Sequence, residues 1–422
     1  MRAWSLGCCA LALVACGGGD AVIGDGGNGG DGANPNGDGG NAVDSGGGGD
    51  GGASDSGDLD SGSANDGAAV DSGADSGVLG GRLFVSMGNA APGVWDKVST
   101  VSSDVAPTFT LSSEAAVTAG TRGVGLAGDR LFFGAESMTN TLVGFAAASS
   151  LNGGATAALK IPASQFVSPM GIPVPQLVQW DAKTDALWVS GFGYGTQMFA
   201  GASTLTSMSK AKALFTHAWG QLPAAAYDPT GDRLFLGQIS GAGVLAFSSA
   251  SAATGTPAVG YTLEKNDAAW SAAIDKDRLY AIGPFTSNGG AKESIAVWKG
   301  ISGVSAAKAP DFTMTAPSGL AQSDFSPWIT VQSDVLIACV QAGKLLLWTQ
   351  ASSLNGEKAP TQTIAIGSPQ NPPKKALLGR SGRLYVLDST GVSIYANPTT
   401  SPTLVTKLTM GMSKPQDMAL LD

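Results

Sequence analysis

The chain has 422 residues, of which 43% are hydrophobic and 14% are charged, so it is long and apolar enough to build a large core. Its formal net charge is −9, but residues 17–77 alone hold 12 aspartates and no glutamate, lysine or arginine. Residues 78–422 are therefore close to neutral, and the acidic balance describes one segment rather than the whole protein. The sequence has no run of clustered lysine and arginine, so we predict no nucleic-acid partner.

The four cysteines are Cys8, Cys9, Cys16 and Cys339. Three of them fall in the first sixteen residues, which leaves Cys339 alone in the rest of the chain. This distribution excludes a disulfide framework and a cysteine-based zinc cluster. We expect Cys339 to pack as a small buried hydrophobe.

Residues 1–15 have the features of a signal peptide: a positive charge at Arg2 and then an apolar run too short to span a membrane. The run ends in Leu13-Val14-Ala15-Cys16, which resembles the lipobox of bacterial lipoproteins. That resemblance implies cleavage before Cys16 and lipid on its thiol, with several acyl chains holding the protein on a membrane. In that family a glycine after the cysteine, here Gly17, goes with export to the outer membrane. The alternative is an ordinary secretory signal with a chance cysteine.

Residues 16–78 are predicted to be a lipidated tether. Residues 17–77 contain 23 of the 61 glycines and no aromatic residue, so they cannot bury enough surface to offset chain entropy. A Gly-rich coil of this length spans about 45 Å on average. The alternative is a calcium-loaded β-roll, but its regular aliphatic position is missing and the aspartate spacing is irregular.

Residues 79–422 contain a repeated phrase, of which Gly-Asp-Arg-Leu-Phe-Leu at 231–236 is the fullest copy. Its first leucine recurs at intervals of 45–57 residues, at Leu83, Leu131, Leu187, Leu234, Leu279, Leu336 and Leu384. A second position, 11–19 residues later, is always aromatic: Trp95, Phe145, Phe199, Phe247, Trp298, Trp348 and Tyr395. A third apolar position follows it by fifteen or sixteen residues: Leu111, Ile161, Phe215, Leu263, Met314, Ile364 and Met410.

Each repeat reads as four short antiparallel strands, called A to D, with the Arg-Leu-aromatic phrase on strand B. Four strands in each of seven units predict an all-β fold, a seven-bladed β-propeller with the aromatic columns between the blades. The first Arg-Leu phrase lacks an A strand, while the chain stops in an A-like run, Met418–Asp422. We therefore predict that the last strand pairs beside Arg82–Ser86 and closes the ring.

The length variation between repeats indicates where a ligand would bind. The C-to-D interval is nearly constant, whereas the B-to-C and D-to-B intervals vary, and those connections share one face of an antiparallel blade. Residues on that face form the candidate ligand-binding surface: Gln165, Phe166, His217, Trp219, Gln221, Asn266, Asp267, Trp270, Asp324, Phe325 and Trp328. Aromatic rings beside amides and carboxylates suit a sugar or a peptide. The alternative interpretation is that these aromatics cover the ends of the core.

Catalytic signals are weak, and we predict no catalytic residues and no cofactor. His217 is the only histidine, so multi-histidine metal sites are excluded by count, and no partner is placed to make a nucleophile–base pair with it. A calcium site at the channel mouth, built from Glu114, Asn266, Asp267 and Asp324, stays as the alternative.

The chain as a whole resembles bacterial β-propeller lipoproteins with loosely NHL- or YVTN-like repeats behind a Gly/Asp-rich tether. The resemblance implies a monomer anchored by lipid in the bacterial cell envelope, at the outer membrane, on its periplasmic or its outer side. The favoured function is a binding or scaffolding module for a protein, peptide or glycan. Its rivals are a calcium-dependent lactonase- or lyase-like enzyme with a site at the channel mouth and a surface adhesin.

Overall fold

The computed structural model describes residues 80–135, 141–167, 175–191, 195–216, 225–237, 243–263, 269–285, 292–315, 325–340, 343–368 and 370–422. All of them belong to one unit, Ser63–Asp422. In these ranges 28 strands form seven four-stranded antiparallel sheets arranged in a ring, so the predicted seven-bladed propeller is confirmed.

The blades are numbered from the first repeat, and strands A to D run from the channel to the rim. Blade 1 contains β28 (Pro415–Leu421), β1 (Arg82–Met87), β2 (Gly93–Asp96) and β3 (Phe109–Thr110); blade 2 contains β4 (Thr121–Ala127), β5 (Arg130–Ala135), β6 (Leu142–Phe145) and β7 (Leu159–Ile161); blade 3 contains β8 (Pro175–Asp181), β9 (Ala186–Gly191), β10 (Gly195–Ala200) and β11 (Ala213–Phe215). Blade 4 contains β12 (Ala225–Asp228), β13 (Arg233–Gly237), β14 (Val244–Ser248) and β15 (Tyr261–Leu263); blade 5 contains β16 (Ser271–Asp275), β17 (Arg278–Phe285), β18 (Lys292–Lys299) and β19 (Phe312–Thr315). Blade 6 contains β20 (Phe325–Gln332), β21 (Val335–Val340), β22 (Lys344–Thr349) and β23 (Gln362–Ala365); blade 7 contains β24 (Lys375–Leu378), β25 (Leu384–Leu387), β26 (Val392–Ala396) and β27 (Thr403–Leu408).

Helical segments are short. One α-helical turn, α1 (Ala115–Thr118), leads into blade 2. The 3₁₀ turns of the described residues are Ala148–Ser150, Ala163–Gln165, Ala202–Thr204, Ala250–Ala252, Ile301–Gly303 and Ala351–Ser353.

The repeated leucine and the second aromatic column are direct cross-strand partners in every blade. Leu83 lies opposite Trp95 in blade 1, and the same pairing recurs as far as Leu384 opposite Tyr395 in blade 7. Both members of each pair pack against the preceding blade, whereas the residue after the leucine, such as Phe84, packs against the following one. The core therefore consists of seven apolar layers between neighbouring blades, as the columns predict.

The chain ends meet in blade 1. Strand β28 pairs antiparallel with β1, with Arg82 opposite Leu421 and Phe84 opposite Ala419. Asp422 and Gly81 are neighbours, since a Cβ on Gly81 would collide with the Asp422 carboxylate. The predicted closure is confirmed, and it removes the open sheet edge of a linear array.

One position of the third column was predicted wrongly. Met410 lies beyond β27 and is 52% exposed, while Leu408 is fully buried and pairs with Val392, as the third-column residues do in the other blades. The connection between β26 and β27 is shorter than its counterparts, so counting a fixed interval from Tyr395 overshot the strand.

A hydrogen bond between neighbouring blades accompanies the Arg-Leu phrase. The guanidinium of Arg82 donates to the carbonyls of Ala148 and Leu151, which lie in the turn after strand C of blade 2. The equivalent bonds run from Arg130 to Ala202 and Leu205, from Arg233 to Ile301 and Ser302, from Arg278 to Leu354, and from Arg383 to Val98 and Val101. Blades 3 and 6 lack the arginine, and Lys212 and Gln362 reach the corresponding turn instead. We call this set the blade clasps.

The aspartate before the arginine shapes the turn that receives the clasp. In blade 4, Asp232 accepts hydrogen bonds from the backbone N–H and hydroxyl of Ser251, in the turn after strand C of the same blade. The residue that starts that turn, Ser249, has a left-handed backbone with φ 51°. Equivalent left-handed residues follow strand C in all seven blades: Lys97, Ala147, Gly201, Ser249, Gly300, Gln350 and Asn397.

The antiparallel strands give the disc two different faces. The A–B turns and C–D connections share one side, which we call the turn face; it carries the clasps. The B–C and D–A connections share the other side, which we call the loop face. Residue Gly80 precedes strand B of blade 1 and therefore lies on the turn face, where its carbonyl accepts a hydrogen bond from Ser99 at 2.8 Å.

We predict that deletion of residues 416–422 unseats the ring. The deletion removes most of β28, including the buried Met418, and uncovers Leu83 and Val85 of β1. Loss of this apolar contact should cost about 5 kcal/mol or more and broaden the thermal transition. Circular dichroism melting checks this, with Gln416→Ala as the control; unchanged melting of the truncated chain would contradict the closure.

Candidate functional site

Six of the predicted loop-face residues lie outside the described residues: His217, Trp219, Gln221, Asn266, Asp267 and Asp324. Cys16, the predicted lipidation site, also lies outside them. Phe325 is the first residue of β20. Gln165, Phe166, Trp270 and Trp328 are described with their side chains.

Gln165 and Phe166 lie beside the layer between blades 2 and 3. The Phe166 side chain is part of that core, and its ring packs edge-on against Phe199 at 5.4 Å between centroids. The backbone carbonyl of Gln165 accepts a hydrogen bond from Ala211, while its side-chain Oε1 is buried without a partner. Phe166 thus supports the core here and presents little surface to a ligand.

The two tryptophans lie at the inner strands. Trp270 precedes β16, packs against the layer between blades 5 and 6, and donates its backbone N–H to Ile282. Trp328 lies in β20 and is partly buried against the layer between blades 6 and 7. Its indole N–H is buried and has no hydrogen-bond partner. Trp328 is therefore the predicted candidate that stands at the channel with an unused polar group.

A buried ion pair lies next to Trp328. Lys375 is the first residue of β24, and its Nζ is 2.7 Å from Oδ1 of Asp417 in β28. Both side chains are 11% exposed, and the Lys375 ammonium stands 4.9 Å from the centre of the Trp328 ring. A buried carboxylate needs its remaining lone pairs satisfied, and the backbone N–H of Val124 donates to Oδ2 of Asp417 at 2.9 Å.

This ion pair links four consecutive blades around the channel. Trp328 belongs to blade 6, Lys375 to blade 7, Asp417 to blade 1 and Val124 to blade 2. All four residues lie on innermost strands, and Lys375 and Asp417 lie toward the beginnings of theirs, which places the pair near the loop face. We call this set the channel-mouth cluster. Removing one partner of such a pair is costly, because the other charge then stays buried alone.

A second charged network extends from the cluster toward the rim of blade 7. Asp388, in the B–C turn, is 1% exposed; its Oδ2 accepts from Lys407 at 2.6 Å, and its Oδ1 accepts from Thr390 and Gly391. Burial alone would raise the pKa of Asp388, but the hydrogen bonds from Lys407 and Thr390 outweigh it and lower the pKa below its ordinary value.

Lys374 connects this network to β28. Its Nζ donates to the carbonyl of Pro415 at 2.9 Å. Burial lowers the pKa of Lys374 below its ordinary value, although the charge of Asp388 acts in the opposite direction. The mouth of the channel at blades 7 and 1 is therefore lined by charged groups that the fold holds in place.

Glu114 was expected at the channel mouth and lies instead at the outer rim. It caps α1 by accepting from Ala116, accepts from Ala157, and is 2.8 Å from Lys160 in β7, the outermost strand of blade 2. Burial opposes ionisation, but Lys160 and the two backbone donors outweigh it and lower the Glu114 pKa. Because Lys160 lies on the strand farthest from the channel axis, the Glu114 carboxylate is held at the rim, away from the channel mouth.

Among the described residues, no group of three or more histidine, cysteine, aspartate or glutamate side chains is arranged to hold a metal ion. In the same part of the chain, no helix has the length and apolar character needed to cross a membrane. Cys339 is fully buried, as expected, and burial raises the pKa of its thiol.

Lys375 and Asp417 are functional candidates that the sequence reasoning missed. They are 42 residues apart and come from different blades, so no local spacing connects them. A usable signal was present, because Lys375 directly precedes the apolar A strand at Ala376–Leu378, and Asp417 precedes the equivalent run at Met418. Polar residues at the same point of two A strands face one channel mouth.

Comparison with known proteins adds the fold alone. No family profile matches the chain, and no curated protein matches it in sequence. The computationally designed Ika8 protein aligns with a TM-score of 0.52 and 9% identity over 80% of this chain and 88% of its own. A protein from Bacteroides fragilis NCTC 9343, provisionally named a 6-phosphogluconolactonase, aligns with a TM-score of 0.54 and 12% identity over 81% and 98%. The WD40 β-propeller domain of Doa1 aligns with a TM-score of 0.48 and 12% identity over 70% and 85%.

We predict that Asp388→Asn lowers the thermal stability by an amount that depends on pH. Because the folded-state pKa is lowered, the carboxylate stabilises the fold above its unfolded pKa, and that contribution is lost as the pH falls through the folded value. The variant should melt lower than the parent at pH 7, and the gap should narrow below about pH 4. Thermal melts across pH check this.

Lys407→Met is the matched variant, since it removes the other partner of the same ion pair. The double variant should lose less than the sum of the two single losses. A gap that is constant with pH, or strict additivity, would contradict the role assigned to this pair.

Proposed function

We propose that the protein is a lipid-anchored β-propeller of the bacterial cell envelope that presents its loop face as a binding or scaffolding module. Three sequence features support this: the lipobox ending at Cys16, the Gly/Asp-rich tract behind it, and the concentration of length variation on one face. A protein, peptide or glycan is the ligand class we favour, and the outer membrane is the location we favour.

The observation that carries the proposal is the place where the tract joins the disc. Gly80 and Gly81 lie on the turn face, held there by backbone hydrogen bonds from Ser99 at 2.8 Å and Val98 at 3.2 Å. The described chain therefore enters the disc on the turn face, and this junction leaves the variable connections of the loop face uncovered.

The two faces also differ in how many of their polar side chains form hydrogen bonds that hold the fold together. On the turn face the aspartates and arginines of the repeats are engaged in turns and clasps, as Asp232 and Arg233 illustrate. Toward the loop face, the channel-mouth cluster lies on the innermost strands, and the buried indole N–H of Trp328 has no hydrogen-bond partner. Loops whose residues the repeat does not determine are free to differ from one another and to carry a binding function.

The rival is an envelope enzyme working at the channel mouth, with calcium as its metal. The buried pair of Lys375 and Asp417 favours it, since charged groups in a concave opening are typical of active sites. Each group is the other's partner at 2.7 Å, however, and Asp417 also accepts from two backbone N–H groups. Both groups are therefore already engaged with each other and with the backbone, so we rank the binding module first.

The anchor is tested with Cys16→Ser. The parent should fractionate with membranes and carry acyl chains on the mature amino terminus, while the variant should lose the lipid and leave the membrane fraction. A parent chain without lipid would contradict the anchoring.

The binding face is tested by blocking it. Ser389 is exposed on the loop face and Lys210 is exposed on the turn face, so cysteines placed there accept a bulky maleimide polymer, whereas the native Cys339 is fully buried. Glycan, peptide and matrix arrays are probed with both labelled proteins. Label at position 389 should abolish binding and label at position 210 should not; the reverse pattern would contradict the proposal. Stoichiometric calcium in the purified chain would favour the enzyme.

A further inference from the structure

Positive charge is concentrated at one part of the loop face, on blades 7, 1 and 2. We call it the basic sector; it comprises Lys374, Lys375, Lys407, Lys414 and Arg122. The lysines at 374 and 375 begin β24, Lys407 lies near the end of β27, Lys414 precedes β28, and Arg122 is the second residue of β4. Strand direction places all five at the same side of the disc.

The described carboxylates of this sector balance only part of that charge. Asp417 pairs with Lys375 and Asp388 pairs with Lys407. No carboxylate of the described residues lies within ion-pair distance of Lys374 or of the exposed Lys414. Lys374 and Lys414 are therefore the two lysines of the sector that no described carboxylate neutralises through an ion pair.

The ammonium group of Lys374 is partly desolvated, and a bound anion would offset that loss of hydration. It is half-buried, and burial lowers its pKa because an ammonium loses hydration there. One of its three donors is used on the carbonyl of Pro415. A neutral carbonyl compensates a charge less well than an anion does, so the site favours the arrival of an acceptor with negative charge.

A second unused donor belongs to the neighbouring channel-mouth cluster. The buried indole N–H of Trp328 has no partner, and the ring lies 4.9 Å from Lys375. Lys374 and Lys375 both reach β28, at Pro415 and Asp417, which are two residues apart. Lys374, which has no ion-pair partner among the described residues, thus lies close to a buried indole N–H that has no acceptor.

From this arrangement we infer that the basic sector binds an anionic group, a carboxylate or a phosphate, on a ligand that enters the channel from the loop face. The inference rests on the proposed function and specifies the chemical class that the module takes. Lys374 and Lys414 contact the anion. Lys375 and Lys407 stay paired with their aspartates and do not contact the anion.

The test uses two defined probes on the full-length chain purified in detergent. Inorganic phosphate represents the phosphate group, and trigalacturonate represents a carboxylated saccharide. Isothermal titration calorimetry at low salt should detect binding of at least one probe, and which one binds distinguishes the two sources of negative charge. The affinity should fall as ionic strength rises, because the sector is partly exposed.

Substitutions show whether the sector is responsible. Lys374→Met keeps the apolar stem and removes the ammonium, and it should weaken binding about tenfold, the effect of losing one charge-assisted contact. Adding Lys414→Met should weaken it further. Lys210→Met is the matched control, because Lys210 is an exposed lysine on the turn face; its affinity should equal that of the parent. Melting temperatures of all variants show that they remain folded.

Two results would overturn the inference: neither probe binds, or each probe binds equally to the parent, Lys374→Met and Lys210→Met. These outcomes are separable from failure of the proposed function. If label at position 389 blocks an array ligand but neither anion binds, the anion-binding inference fails and the proposed binding face stands. If the anion binds in a Lys374-dependent way but the protein carries no lipid, the proposed anchoring fails and the anion-binding inference stands.

Discussion

The blade clasps are the interaction on which the ring depends. Each sheet buries its two surfaces against neighbours through apolar layers, and such layers alone tolerate sliding, because dispersion and burial have no direction. The guanidinium of Arg82, and its counterparts around the ring, fixes the position of one blade on the next by donating to carbonyls at the end of a left-handed turn. Charge-assisted hydrogen bonds are directional and stronger than neutral ones, and six of the seven clasps are of this kind, with Gln362 supplying a neutral one. Together these contacts set the radius and the register of the disc.

The clasps also place different structural demands on the two faces. The turn face holds the aspartate that shapes the turn in five of the blades, the residue that reaches the next blade and the connection that receives it. Where the arginine is missing, Lys212 and Gln362 supply the contact from another strand, which shows that the bond is kept even when its residue is not. In the part of the chain that the structure describes, the clasps all lie on the turn face, where Gly80 also joins the disc.

Repetition made the fold predictable, and its absence made the site hard to predict. The leucine and aromatic columns identified seven blades because each column is a cross-strand pair, Leu83 with Trp95 being the first. The third-column residue of blade 7 was predicted at Met410 instead of Leu408, because counting a fixed interval does not account for the shorter connection between β26 and β27. The Lys375–Asp417 pair was missed because it joins two blades through ring closure, and its signal, two charged residues at the same point of two A strands, shows only after the strands are aligned. Phe166 was read as a loop residue, but the loop folds back onto the layer beside Phe199.

The most direct test of this account concerns Arg383, whose clasp joins blade 7 to blade 1 where the ring closes. Arg383→Met keeps the apolar stem and removes both hydrogen bonds, and Arg380→Met changes an exposed arginine three residues away. The account predicts that Arg383→Met lowers the melting temperature by about 3 °C, corresponding to about 2 kcal/mol, while Arg380→Met leaves it unchanged. Equal melting temperatures for the two variants would contradict it.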